Sequence, residues 1–287
     1  MIISWPSELV SDIARRRSVL VLGAGISRHA RNKDGRAPKM WREFLQTGID
    51  SFSSNRPLQK ELRSLLNECD YLTACQLIKE QMGNPAFHKF VKDEYLTPGF
   101  KPAQIHEHIQ RLDSRIVATP NFDRIYEATS PSLLVKNYYD ADVADTIRGS
   151  EKIVIKIHGT IDSPHRMIFT RTEYANARNQ HRNFYDILSA LAVTHTFIFL
   201  GCGLADPDIR LLLEDYAFRH NYCRPHYFVV PRDRIGTFVL PITESCMNLK
   251  ILTFNPRNDC ALLPRALDEL AVQVDLERRA LRKSGDW

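Results

Sequence analysis

Four short groups of glycine and polar residues stand directly behind hydrophobic runs, and each could carry chemistry. Gly23-Ala24-Gly25-Ile26-Ser27 brings two glycines to a turn, where backbone N–H groups can approach a pyrophosphate closely. Arg28 stands where the third glycine of a G-x-G-x-x-G fingerprint would be, so an ordinary tight strand-to-helix turn competes with that reading. In Thr119-Pro120-Asn121-Phe122-Asp123, the Asn121 amide can donate and accept at once, which suits holding a water or a ribose hydroxyl. Taken alone, Asn121 reads better as a helix N-cap. Lys156-Ile157-His158-Gly159-Thr160 offers a histidine able to act as a general base near neutral pH, beside a glycine that leaves room for a ligand. The chain has ten histidines, and His158 stands out by position. Gly201-Cys202-Gly203-Leu204-Ala205-Asp206-Pro207-Asp208 again opens a backbone approach through Gly201 and Gly203. Asp206, Pro207 and Asp208 then have the order of N-cap, first helical residue and first-turn acid. Helix starting accounts for both carboxylates, and a metal role is not expected.

Elements of two periods must position these groups. Short apolar, β-rich runs at 18–22, 115–119, 152–157, 167–169, 196–200, 227–230 and 249–253 read as strands. Helical spacing marks about 6–17, 122–129, 183–194, 207–220 and 262–283. Strands alternating with helices predict an α/β fold, a Rossmann-like parallel sheet covered by helices on both faces. In such sheets a ligand lies outside the carboxyl ends of the strands, where all four groups fall. Residues 38–110 read as a helical insertion of several short helices, broken at Pro57, at Gly83-Asn84-Pro85 and at Pro98-Gly99. The expected organisation is one domain over 1–287, with that insertion and a helical tail over about 260–283.

Composition narrows the function classes. The 287 residues carry 39 Lys+Arg and 34 Asp+Glu, a net charge of +5, with 44% hydrophobic residues. That is ordinary globular composition, and the charge is too mild to imply nucleic acid. The basic runs Arg15–Arg17 and Arg278–Lys283 sit on helical patterns and read as solvated faces, so direct nucleic-acid binding is not expected. No apolar run approaches the ~20 residues needed to span a bilayer, and no secretory signal is recognisable; a cytoplasmic location is expected. Six dispersed cysteines contain no C-x-x-C pair and read mostly as buried, reduced packing residues. There is no G-x-S-x-G, no P-loop and no H-E-x-x-H; His106-Glu107-His108 has the wrong spacing for a zinc helix. Asp140, Asp142 and Asp145 read as a solvated loop or helix start, and Tyr138-Tyr139 as edge packing.

The order G-A-G-x-S, T-x-N-x-D, K-x-H-G and F-x-G-x-G-x-x-D-x-D, each closing a strand, resembles the SIR2 (sirtuin-like) NAD-binding family over about residues 18–220. The resemblance implies NAD across the strand ends, as substrate. Its implied contacts are Gly23, Ala24, Gly25, Ser27, Thr119, Asn121, Asp123, His158, Gly201, Gly203 and Asp206. Residues matching Asn121 and His158 flank the nicotinamide ribose in that family. Three departures select a branch. The zinc module of deacylating sirtuins is missing, Arg28-His29-Ala30-Arg31 replaces their G-I-P-D-F-R-like stretch, and no V-x-F-G-E strand follows. The stretch 166–174 and the helical insertion look like those of bacterial SIR2-like NAD hydrolases of antiphage defence. On this reading His158 polarises a ribose hydroxyl, Asn121 orients water toward the anomeric carbon, and Asp123 supports Asn121 or the ribose. The resemblance further suggests a homo-oligomer and, as a partner it could dock on, a HerA-type hexameric ATPase. With no sensor domain expected in this length, control would come from assembly or a partner. A protein deacylase and a non-catalytic NAD or ADP-ribose sensor are the alternatives.

Overall fold

The computed structural model describes residues 3–204, 206–220, 222–256 and 260–285; Ala205 of the fourth group and Trp287 lie outside the described residues. Among the described residues seven strands form one sheet: β1 (Ser18–Leu22), β2 (Ile116–Thr119), β3 (Leu134–Asn137), β4 (Ile153–Lys156), β5 (Thr196–Leu200), β6 (His226–Pro231) and β7 (Leu249–Phe254). Their order is β3-β4-β2-β1-β5-β6-β7, and every pairing is parallel. Strands this apolar suit a parallel sheet, because crossover helices bury both of its faces.

Strand alternation assigns each face its helices. Leu20, Leu22, Val117, Ile198 and Val229 pack on one face with α1 (Ser7–Ala14), α7 (Gln104–Arg111) and α13 (Leu262–Ser284). Val19, Val21, Ala118, Phe199 and Phe228 pack on the other with α8 (Val143–Arg148), α9 (Arg171–Gln180), α10 (Arg182–Thr194), α11 (Pro207–Arg219) and α12 (Leu240–Met247). The stretch expected to be helical contains α3 (Trp41–Asp50), α4 (Arg56–Asn67), α5 (Tyr71–Met82), α6 (Asn84–Tyr95) and α7. Helices α3 to α6 enclose a separate aromatic-rich core with Met167 and Phe169. No described helix is long and apolar enough to cross a membrane.

Four expectations are corrected. Residues 167–169 are extended but join no ladder; Met167 and Phe169 enter the insertion's core while Ile168 packs under the sheet, and the Ile168 N–H bonds back to the His158 carbonyl at 3.0 Å. Residues 122–129 form no continuous helix. The Asp123 carboxylate accepts the Ile125 N–H at 2.9 Å, an Asx-type turn that leaves a single 3₁₀ turn at Glu127–Thr129. The unanticipated β3 is an edge strand whose Leu134 and Val135 are 41% and 40% exposed, so it lacks the apolar signature of the central strands. The cysteines are not mostly buried: only Cys75 is, while Cys69, Cys223 and Cys246 are exposed.

Candidate active site

The chain enters the sheet at β1 and builds outward on both sides of it, through β2 and β4 one way and β5 the other. The strand order therefore reverses at β1, the kind of switch point where open α/β sheets bind ligands. All four groups leave the carboxyl ends of these four neighbouring strands, at Leu22, Thr119, Lys156 and Leu200.

The glycines lock two of the loops together. The Gly23 N–H bonds the Leu200 carbonyl and the Gly25 N–H the Gly201 carbonyl, both at 2.9 Å. A Cβ on Gly25 would lie 2.9 Å from the Gly201 Cα, and one on Gly201, whose φ is +64°, would lie 2.5 Å from the Ile26 nitrogen. Glycine serves here the mutual approach of two backbones, and the two N–H groups expected to meet a pyrophosphate are engaged within the protein. Gly159, at φ +82°, plays the same part behind His158, where a Cβ would sit 2.6 Å from the Arg166 carbonyl.

Ser27, Asn121 and Asp123 form one hydrogen-bonded set. The Asn121 amide donates to the Ser27 hydroxyl at 3.0 Å, and that hydroxyl donates to the Asp123 carboxylate at 2.7 Å. Thr119 steadies the turn, its hydroxyl accepting the Asn121 N–H at 3.0 Å and donating to the Leu22 carbonyl at 2.6 Å. Asn121 thus caps no helix. Phe122 between them is seated edge-on against Tyr95 and tilted against Phe169, with ring centroids 5.0 and 4.8 Å apart. Below the turn lies fully buried Lys156, whose ammonium donates to the Asp123 carbonyl and to the Glu127 carboxylate. Sequence reasoning gave Lys156 no role; the available signal was a lysine ending a strand of otherwise apolar residues.

His158 belongs to a second set. It is buried, its Nδ1 lies 3.4 Å from the Tyr174 hydroxyl, and its Nε2 is 3.7 Å from an Asp206 oxygen and 3.5 Å from an Asp208 oxygen. Those last separations are ionic contacts longer than hydrogen bonds, and Nε2 has no hydrogen-bond partner. Burial disfavours the imidazolium, but the Asp206 charge and the contact with Asp208 outweigh it, so the His158 pKa lies above the ordinary histidine value. Asp206 is the N-cap of α11 as expected, accepting the Asp208 and Ile209 N–H groups at 3.0 Å. Helix starting is nevertheless an incomplete account of the carboxylate pair, because both also face the histidine. Tyr174 and Tyr185, whose hydroxyl donates to Asp208 at 3.0 Å, were not foreseen at all. Among the described residues no group of three or more His, Cys, Asp or Glu side chains is placed to hold a metal ion.

Residues 115–252, which include the second, third and fourth groups, match the family described as the SIR2-like domain. An NAD(+) hydrolase ThsA of Enterococcus faecium is 28% identical over 60% of this chain and 37% of its own length. A protein of the same name from Acinetobacter baumannii is 25% identical over 77% of this chain and 44% of its own. Defense-associated sirtuin 2 of Bacillus subtilis is 22% identical over 72% of this chain and 20% of its own. The chain thus spans less than half the length of these curated relatives. Residues 115–252 are thus similar to the SIR2-like domain, and the relatives that the chain resembles are named as NAD hydrolases and a defence-associated sirtuin.

Proposed function

We propose that this protein hydrolyses NAD to nicotinamide and ADP-ribose, as an effector of bacterial antiphage defence that depletes NAD. The observation that carries this reading is the pairing of Asn121 and His158 behind adjacent strands at the switch point, with the buried Nε2 of His158 left without a hydrogen-bond partner. A buried polar atom of that kind is costly in an empty fold and is satisfied by a substrate hydroxyl. The names of the relatives support the same chemistry.

In the proposed reaction the glycosidic bond breaks with its electron pair leaving on nicotinamide, which neutralises the pyridinium ring. The sugar passes through an oxocarbenium-like centre, eased when His158 draws on the proton of a ribose hydroxyl. Water held by the Asn121 amide adds to the anomeric carbon and releases a proton. Ser27 and Asp123 keep that amide oriented. Control of a hydrolase of so common a metabolite is proposed to lie in homo-oligomer assembly, or in docking on a HerA-type ATPase, within the cytoplasm. The deciving experiment is nicotinamide release from NAD by the purified protein without any peptide, beside Asn121→Ala and His158→Ala. Release by the wild type and its loss in both variants is the expected result. Tight binding of NAD with no release, alone or with the ATPase, would instead make the protein a sensor.

A further inference from the structure

The surroundings of His158 decide which of its nitrogens carries the proton. An ionised Asp206 has no hydrogen to give, so the 3.3 Å bond between Tyr174 and Asp206 is donated by the tyrosine hydroxyl. The same oxygen then presents a lone pair to His158 Nδ1, 3.4 Å away, an arrangement that a proton on Nδ1 satisfies. Burial, followed by the nearby carboxylates, holds the Tyr174 pKa well above its usual value, so the phenol keeps its proton. In that arrangement neutral His158 has its lone pair on Nε2, between the two carboxylates.

Resting on the hydrolase reading above, we propose that Tyr174, Asp206 and Asp208 are positioning residues for His158: Tyr174 links Asp206 to Nδ1 and fixes the tautomer, and the two carboxylates hold the imidazolium formed at Nε2. In the step they serve, a ribose O–H bond breaks with its electron pair remaining on oxygen, and the proton forms a bond to Nε2. The new positive charge lies 3.5 and 3.7 Å from Asp208 and Asp206. After nicotinamide has left and water has added, the proton returns to the ribose oxygen. The logic is that of a carboxylate orienting a catalytic histidine, here with a phenol interposed. Asp208 is itself held by the Tyr185 hydroxyl at 3.0 Å and faces Arg178 at 3.5 Å. The charged and titratable groups around the imidazole are thus Asp206 and Asp208 from α11, Tyr174 and Arg178 from α9, and Tyr185 from α10, with the Cys202 thiol beside Asp206. The raised pKa of His158 agrees with this arrangement.

The test is ¹⁵N NMR of the full chain, with the His158 signals assigned by their loss in His158→Gln, read beside nicotinamide release. Wild-type His158, when neutral, is expected to show the Nδ1–H tautomer, and Tyr174→Phe to lose that preference. Asp208→Asn should lower the His158 titration midpoint and carry the acid limb of kcat to lower pH. In Tyr174→Phe, kcat should fall about ten- to a hundredfold with KM within about twofold, less than the 10²–10⁴ lost with a base itself. An Nε2–H tautomer in the wild type, an unchanged tautomer in Tyr174→Phe, or an unmoved midpoint in Asp208→Asn would each overturn the assignment. Lower thermal stability with unaltered His158 signals would mark these residues as structural only. Since the NMR readout needs no substrate, a wild type that releases no nicotinamide counts against the hydrolase reading and leaves the tautomer to be judged separately.

Discussion

Ser27 is where the Asn121 and Asp123 side chains meet: its hydroxyl accepts from one and donates to the other. Removing that oxygen leaves a buried carboxylate with one donor fewer and frees the Asn121 amide to turn. Ser27→Ala is therefore expected to cost about 1–3 kcal/mol, the penalty of an unsatisfied buried acceptor, and to lower kcat for nicotinamide release far more than it raises KM. Thermal unfolding and steady-state kinetics on the same preparation check both parts; an unchanged kcat would detach Ser27 from the site. At this scale the sequence was legible where a residue type has few uses. A histidine and an asparagine directly behind buried strands are conspicuous, and both stand at the carboxyl ends of adjacent strands. Tyr174, Tyr185 and Lys156 were not legible, since each lies on or beside an apolar pattern and acquires its partner only through a tertiary contact.

The loop carrying Asn121 and Asp123 has little regular structure of its own, and its conformation is imposed from outside. Phe122 is packed into the aromatic core of helices α3 to α6, against Tyr95 and Phe169. The helical insertion is thereby joined to the sheet at the residue between the two polar side chains. Phe122→Ala should lower nicotinamide release at least tenfold, with a stability loss of about 2 kcal/mol for a half-buried ring, and Phe122→Leu should recover most of both. Equal activity in the alanine variant would show that the loop is set by Lys156 and Ser27 alone. The glycine contacts lead to an expectation of the same kind. Gly201→Ala must accommodate a φ of +64° and a Cβ 2.5 Å from backbone, so the β1 and β5 loops should separate and Tm should fall. The central strands could be read from sequence because burial on both faces leaves apolar residues everywhere but at their ends. Edge strand β3 and the extended 167–169 segment could not, since exposure erases that signal in one and a split between two cores imitates it in the other.

Considered whole, the molecule separates stability from the proposed chemistry along the length of its strands. Acid should probe the first of these. Burial pushes His106 and His226 down to about 4, below the ordinary value of about 6.5, and the His226 ring accepts the Phe197 N–H as a neutral imidazole at 3.1 Å. Between those pH values the unfolded chain binds more protons than the folded one. The stability contributed by these histidines is thus complete above pH 6.5 and is lost as pH falls toward 4. Tm should decline as pH falls across that window, and a rise on acidification from pH 6.5 to 5 would contradict the assignment.

Arg278 gives the sharper test of that separation, because it lies at the amino ends of the strands, opposite the site. From α13 its buried guanidinium donates to the carbonyls of Ile13 and Ala14 at the end of α1, and to those of Leu112 and Asp113 after α7. Helix ends leave carbonyls without intrahelical partners, and a cation among them meets both that need and the negative end of the dipole. One side chain thus joins the first helix, the last helix and the helix that leads into β2. Arg278→Met keeps the apolar stem but strips the carbonyls of their donor, and the expected loss is about 3 kcal/mol. At about 2–4 °C per kcal/mol for a chain of this size, Tm should fall by about 10 °C. Nicotinamide release at 25 °C should stay within about twofold of wild type, since no contact of Arg278 reaches the carboxyl ends where catalysis is proposed. Asn121→Ala should behave in the opposite way, abolishing release with Tm nearly unchanged. A fall in kcat for Arg278→Met at a temperature where it remains folded would mean that the two ends of the strands are coupled.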